Sequence, residues 1–358
     1  MIADPSFDPF EQIHSILERA DLRFANLEST LSEQAGETVS PSNNLVFTAP
    51  PVGADLLRRA GFDIVSTANN HAWDYGKSAL LETLTHLDRV GVAHVGTGSS
   101  LAAAESASIF DLDGFRIAFL AATDIWNQGS LAQHPARDFV ARADRSTLIN
   151  AVRSIRSSQH IDAIVVSIHG GEEYRETPHE PMRTLMRALI DAGADAVLGH
   201  HPHVPQGIEL HDGKPIFYSL GNLRMSMHSD HPETGLGLLA RITFSKDRKP
   251  TSEVCPFRTV GMTPVPLRSI EANQQAIERA TMAKLATLGN SLGPSKAILG
   301  NAGDDGCFPL SPAHAATTAS SLTPSPTRSS QAPSRAKSAR YCCCPPSDLA
   351  CMMACAKR

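Results

Sequence analysis

Between Phe7 and Val265, short apolar runs alternate with amphipathic stretches, and nearly every candidate for binding a cation lies just beyond the end of such a run. Runs of four to eight apolar residues bounded by turn signals read as buried strands, and their alternation with helical patterns is the signature of βαβ units around a mostly parallel sheet. The spacing predicts strands at Leu22–Leu27, Asp63–Thr67, Arg116–Ala121, Ala163–Ile168, Ala194–Leu198 and Pro215–Ser219. Helices are predicted at Pro9–Arg19, Gly53–Ala60, Lys77–Val90, Ser146–Ser157, Glu180–Ala192 and Ile270–Leu285. Open α/β sheets carry their sites at the carboxyl ends of strands, which is where the chemistry-bearing residues of this chain fall.

Four strings supply those residues. In VLGHHPHVPQ, Gly199 permits a tight turn, Pro202 stiffens the backbone, and His201 and His203, two apart in an extended segment, can reach neighbouring metals. His169 ends an apolar run and opens HGGEEY, in which Glu173 and Tyr174 either support the site or sit in a solvated loop. In STANNHAWDYG the Asn70 carbonyl suits a hard cation and His71 suits proton donation, while Asp74 either holds that imidazole or caps a helix. Glu28, at the end of DLRFANLE, offers a carboxylate able to bridge two cations. Glu28, Asn70, His169, His201 and His203 together form a mixed nitrogen and oxygen set suited to zinc, manganese or iron.

Composition narrows the remaining classes. The 42% hydrophobic content supports a sizeable core, and the net charge of -5, without a basic patch interleaved with aromatics, argues against a nucleic-acid partner. No run of about 18 apolar residues appears, and MIADPSFDPFEQ lacks the features of a secretory signal, so the chain as written reads as soluble. Cys255 and Cys307 stand apart from the five cysteines after residue 341, and the body is expected to need no disulfide framework. Three stretches follow: a main domain over 1–266, an extension over 267–310, and an Ala/Ser/Pro-rich, Cys-rich tail over 311–358 with the composition of disorder.

The strings NLES, ANNHAWDYG, HGGEEY and GHHPHVPQ, with YSLGN at Tyr218–Asn222, resemble the CapA family of capsule and poly-gamma-glutamate synthesis proteins in order and spacing. The resemblance implies an α/β fold of the calcineurin-like metallophosphoesterase type: a β-sandwich flanked by helices, with two divalent metals. It makes Glu28 the bridging carboxylate, Asn70, His169 and His201 ligands of the second metal, His203 a ligand of the first, and His71 the proton donor, with His200 no ligand. It implies an anionic polymer or phosphoester substrate, other capsule synthesis proteins as partners, and the cell envelope as location where a signal or anchor precedes the domain. CapA-like chains usually open on an apolar strand ending in Gly-Asp. No such strand precedes the first helix here, and neither Asp4 nor Asp8 replaces its aspartate, so a first N-terminal strand is expected to be missing. The sequence leaves three functions open: a metal-dependent hydrolase, a non-catalytic polymer-binding component of a capsule complex, and an inactive truncated relative.

Overall fold

The computed structural model describes residues 8–34, 46–158, 160–225, 230–269 and 274–313. Its strands, in chain order, are β1 Phe24–Asn26, β2 Thr30–Leu31, β3 Thr48–Ala49, β4 Ile64–Ser66, β5 Ala93–Val95, β6 Ser108–Leu112, β7 Phe115–Thr123, β8 Ala163–His169, β9 Ala196–His200, β10 Ile208–His211, β11 Lys214–Phe217, β12 Leu236–Ser245, β13 Arg248–Val260, β14 Thr263–Pro266, β15 Ala297–Leu299 and β16 Phe308–Pro312. The helices are α1 His14–Leu17, α2 Val52–Arg59, α3 Gly76–Val90, α4 Leu101–Ala104, α5 Arg145–Ser157, α6 Glu180–Ala192 and α7 Gln274–Leu288. The expected first helix over Pro9–Arg19 is shorter, a 3-10 turn at Glu11–Ile13 running into α1.

The central sheet has the order β10-β11-β9-β8-β7-β6. Its β7, β8, β9 and β11 run parallel, with β6 and β10 antiparallel at its two edges. Side chains alternate faces along a strand, and these strands are apolar on both. On β8, Ile164, Val166 and Ile168 meet Leu148 and Val152 of α5 and Met182, Met186 and Leu189 of α6. Ala163 and Val165 face the opposite way, into a core shared with Ile64 and Val95 of the parallel β1-β4-β5 sheet and with Val254 and Phe308. The result is an α/β sandwich with helices on one side of the central sheet, as the resemblance implies.

The rest of the architecture departs from the mostly parallel expectation. β12, β13, β16 and β15, with β14 on the flank of β13, make an antiparallel sheet. Pro250 and Pro256 both lie inside β13, and a proline cannot donate to a ladder, so this segment does not read as a strand from its sequence. The 267–310 extension is integral to that sheet, because Phe308 and Pro309 pair with Val254 and Glu253. β16 itself runs two residues past the expected boundary at 311; beyond Ala313 the tail lies outside the described residues. Cys255 and Cys307, both buried, form a disulfide, contrary to the expectation for the body. It ties β13 to the start of β16.

Helix ends follow local chemistry. Gly91 and Gly193 close α3 and α6 at φ of 71° and 121°, a region that costs an L side chain about 1–2 kcal/mol. Asp144 caps α5: its Oδ1 accepts from Thr147 N at 2.9 Å and from the Ser146 and Thr147 hydroxyls. These donors hold its carboxyl down at about 2, against an ordinary 3.8. A depressed carboxyl stabilises the fold above the unfolded value and loses that contribution as pH falls through the folded one. Asp144→Ala should therefore cost about 1 kcal/mol near neutral pH. In urea titrations the gap between variant and parent should narrow as pH drops from about 4 towards 2.

Candidate metal centre

Three parallel strands end in register, with Thr123 of β7 beside His169 of β8 and His169 beside His200 of β9. The loops leaving these ends converge with the loops after β1 and β4, which bring Glu28 and Asn69–Asp74. His169 is 1% exposed and shares the strand face of Ala163 and Val165, which turns it towards the sandwich interior. His200 has the parity of Ala196 and Leu198, and its ring lies 6.2 Å from that of Phe24. It is thereby packed against β1.

Gly199 does not make the tight turn expected of it. It lies within β9, and a Cβ there would stand 2.0 Å from the Tyr218 carbonyl oxygen, so close backbone approach is what requires glycine. Nor is the following segment extended. His201 and His203 lie at φ of 103° and 61°, with Pro202 between them, so the backbone turns left-handed at both histidines. Such positions cost of order 1–3 kcal/mol each and persist where the surroundings over-determine them.

The side chains brought together are those picked out in the sequence. Glu28, His201 and His203 each offer a ligand atom, all within 4.8 Å of one another. Glu28 Oε1 lies 3.5 Å from His169 Nε2 and 3.9 Å from His203 Nε2. His169 Nε2 donates to Asn70 Oδ1 at 2.7 Å, and the His169 and His201 ring centres are 5.0 Å apart. Two ligands each about 2.1 Å from one cation stand roughly 3.0–3.4 Å apart. The separations of 3.5 and 3.9 Å around Glu28 Oε1 lie just above that range.

Buried polar atoms left without partners give an independent indication. Glu28 Oε1, His169 Nδ1 and His201 Nδ1 are all enclosed and make no hydrogen bond. Stranding a buried acceptor costs about 1–3 kcal/mol, more for a charged group, and a bound cation would satisfy the carboxylate. Burial pushes the Glu28 carboxyl up to about 7, opposed by nearby His203, and pushes the His201 imidazole down to about 3. Burial, with His201 next, also holds His169 well below the usual histidine range. Neutral His169 and His201 are the form that gives an electron pair to a metal. The donor set of Glu28, His201 and His203, with Asn70 and His169 beside it, thus has the chemistry to fit a divalent cation.

A further set of bonds fixes these groups. Asn222 Oδ1 accepts from His203 Nδ1 at 2.8 Å, which leaves Nε2 turned to Glu28. Asn69 Nδ2 donates to the Leu27 carbonyl at 2.8 Å while its Oδ1 accepts from His71 N, so one side chain ties the β1 and β4 loops together. His71 Nδ1 donates to Asp74 Oδ2 at 2.6 Å, and the same oxygen accepts from Phe47 N at 2.6 Å. Asp74 therefore holds the imidazole; α3 begins after it with no side-chain cap. Tyr174 flanks the cluster, with its N bonded to the Pro202 carbonyl and its ring stacked on His231 at 3.9 Å, whereas Glu173 is exposed. Asp8 lies apart, accepting from Phe10 N and pairing with His14; Asp4 is outside the described residues. Sequence reasoning missed Asn69, Phe47 and Asn127, the last of which accepts from Asn70 Nδ2 at 2.9 Å. Phe47 is an apolar residue with no chemistry of its own, and Asn69 and Asn127 carry the same side chain as many turn residues.

With this arrangement established, comparison with known proteins places the chain. Residues 4–226 match the family described as bacterial capsule synthesis protein PGA_cap, more than half of the sequence. The protein belongs to the PGA_cap family. Among PGA_cap relatives, the PGA biosynthesis protein CapA of Bacillus subtilis (strain 168) is 31% identical over 271 residues, 75% of this chain and 70% of that one. The capsule biosynthesis protein CapA of Bacillus anthracis is 29% identical over 216 residues, covering 60% of this chain and 52% of that one. A solved structure of a candidate 5′-nucleotidase from Staphylococcus aureus is similar at a TM-score of 0.45 and 13% identity, over 80% of this PGA_cap chain and 54% of that one. No helix among the described residues is long and apolar enough to cross a membrane.

The backbone at His201 gives a test of how the centre is built. Glycine adopts a φ of 103° freely and alanine does not. His201→Gly should therefore be more stable than His201→Ala by about 1 kcal/mol in urea denaturation of the metal-free chain.

Proposed function

We propose that this chain serves cell-surface polymer synthesis of the capsule or poly-gamma-glutamate type, through a metal-dependent hydrolytic centre that cleaves a phosphoester or a gamma-glutamyl amide. The observation that carries the hydrolytic reading is the buried, unpartnered Glu28 Oε1 facing the imidazoles of His169 and His203. The polymer reading rests on the PGA_cap match and on the two CapA relatives. In this reading Asn70, His169 and His201 would hold one cation and His203 a second, with the Glu28 carboxylate available to both. Manganese, zinc and iron all suit the set. When bound, such cations polarise the scissile group and lower the pKa of water.

The protein's own groups do the rest. Asp74 accepts from His71 Nδ1, so Nε2 is the nitrogen available to carry a proton to the departing oxygen or nitrogen. His71 is 5% exposed and Asp74 fully buried, and the Phe47 ring centre lies 4.2 Å from that of His71. That cover keeps bulk water from competing for the Nδ1 bond. The left-handed turns at His201 and His203 bring two imidazoles of a three-residue segment to the Glu28 carboxylate. The disulfide between Cys255 and Cys307 is compatible with work in an oxidising compartment such as the envelope exterior.

The test is to strip the full chain of metal, reload it separately with Mn2+, Zn2+ and Fe2+, and measure bound metal and hydrolysis of a chromogenic phosphodiester and of poly-gamma-glutamate. Glu28→Gln and His201→Ala should lose most bound metal. His71→Ala should keep its metal while turnover falls about 10²–10⁴-fold. A folded chain that takes up no metal and turns over neither substrate would end the hydrolytic reading; polymer synthesis surviving His201→Ala in cells would leave only a binding role.

A further inference from the structure

The 124–138 segment, between β7 and α5, is not one of the strings that make the candidate centre, yet one of its side chains reaches a ligand. Asn127 Oδ1 accepts from Asn70 Nδ2 at 2.9 Å. The amide of Asn70 is nearly symmetric in shape and wholly asymmetric in chemistry: one end accepts, the other only donates. Only the orientation with Oδ1 towards His169, at 2.7 Å, offers a cation an electron pair; the flipped amide would present it with N–H groups. Asn70 is 3% exposed, so water has little access to hold Nδ2 in place of a protein acceptor.

We propose that Asn127 is a positioning residue of the metal centre: it fixes the Asn70 amide with its carbonyl towards His169, and so ties the 124–138 segment to the cation. The inference rests on the metal-centre reading above. Asn222 has the same relation to His203, an amide oxygen accepting from the far side of a ligand. Asn127 differs in its source, since its neighbour Trp126 packs on His134, whose ring also meets Trp73, with centres 5.4 and 5.8 Å apart. Trp73 lies between His71 and Asp74 in sequence. The two tryptophans of the chain therefore flank one imidazole beside the centre, and their emission reports on this segment.

The experiment compares Mn2+ binding by calorimetry to the metal-stripped full chain and to Asn127→Leu and Asn127→Asp, with tryptophan emission followed along each titration. Leucine removes the acceptor at similar volume; aspartate accepts only and cannot present a donor to Asn70. Loss of a partner that orients a metal ligand typically weakens binding 10–100-fold. That loss is expected for N127L, with a smaller emission change on binding, whereas N127D should remain within about threefold of the parent. A purely structural role would lower the melting temperature of N127L and leave its Mn2+ affinity unchanged, which would overturn the proposal with the metal-centre reading intact. N127D binding as weakly as N127L would also overturn it. A parent chain that binds no Mn2+, Zn2+ or Fe2+ would overturn both. Should N127L not fold, Asn127→Ala removes the acceptor without bulk and takes its place.

Discussion

The register of three parallel strands sets the position of everything at the centre. Because Thr123, His169 and His200 lie side by side at the carboxyl ends of β7, β8 and β9, the loops that follow leave from one line. A one-residue slip in this ladder would turn His169 out of the sandwich and into the layer of α5 and α6. What prevents the slip is burial on both faces: Val166 and Ile168 are committed to the helices, and Val165 to the opposite core. The site geometry is thus paid for in apolar packing several residues away.

Against that frame stands a group of polar atoms that the fold leaves unsatisfied. A buried carboxylate beside two depressed histidines is a poor arrangement for a chain with nothing else to bind, since each stranded atom and each left-handed histidine opposes folding. The same arrangement is favourable to a cation, because the donors are already dehydrated and already aimed. Strain and desolvation are then met during folding, by the sandwich, and need not be met again on binding.

How much of this was legible follows from where each signal resides. The parallel strands and the helices between them were readable because apolar period and length change together, as at Ala163–His169 and Glu180–Ala192. Glu28, Asn70, His71, Asp74, His169, His201 and His203 were readable because each follows an apolar run, where such a sheet places its chemistry. The antiparallel sheet was not, since β13 carries two prolines and its Glu253 pairs with Pro309, 56 residues away. The Cys255–Cys307 pair is hidden for the same reason: spacing does not reveal which strands become neighbours. Gly199 looked like a turn glycine because sequence shows the absence of a side chain but not the backbone that fills its place.

The asparagines show the deepest limit. Asn69, Asn70, Asn127 and Asn222 have the same side chain, yet one bridges two loops, one faces the imidazole cluster, and two accept from groups in that cluster. What separates these roles is which end of each amide faces which neighbour, a property of the folded contact and not of the residue. His203 and Asn70 each have their outer polar group engaged by an amide oxygen, which leaves the inner atom turned to Glu28 or His169. The chemistry available at the centre therefore depends on hydrogen bonds made on its far side, by residues that themselves need never touch a cation.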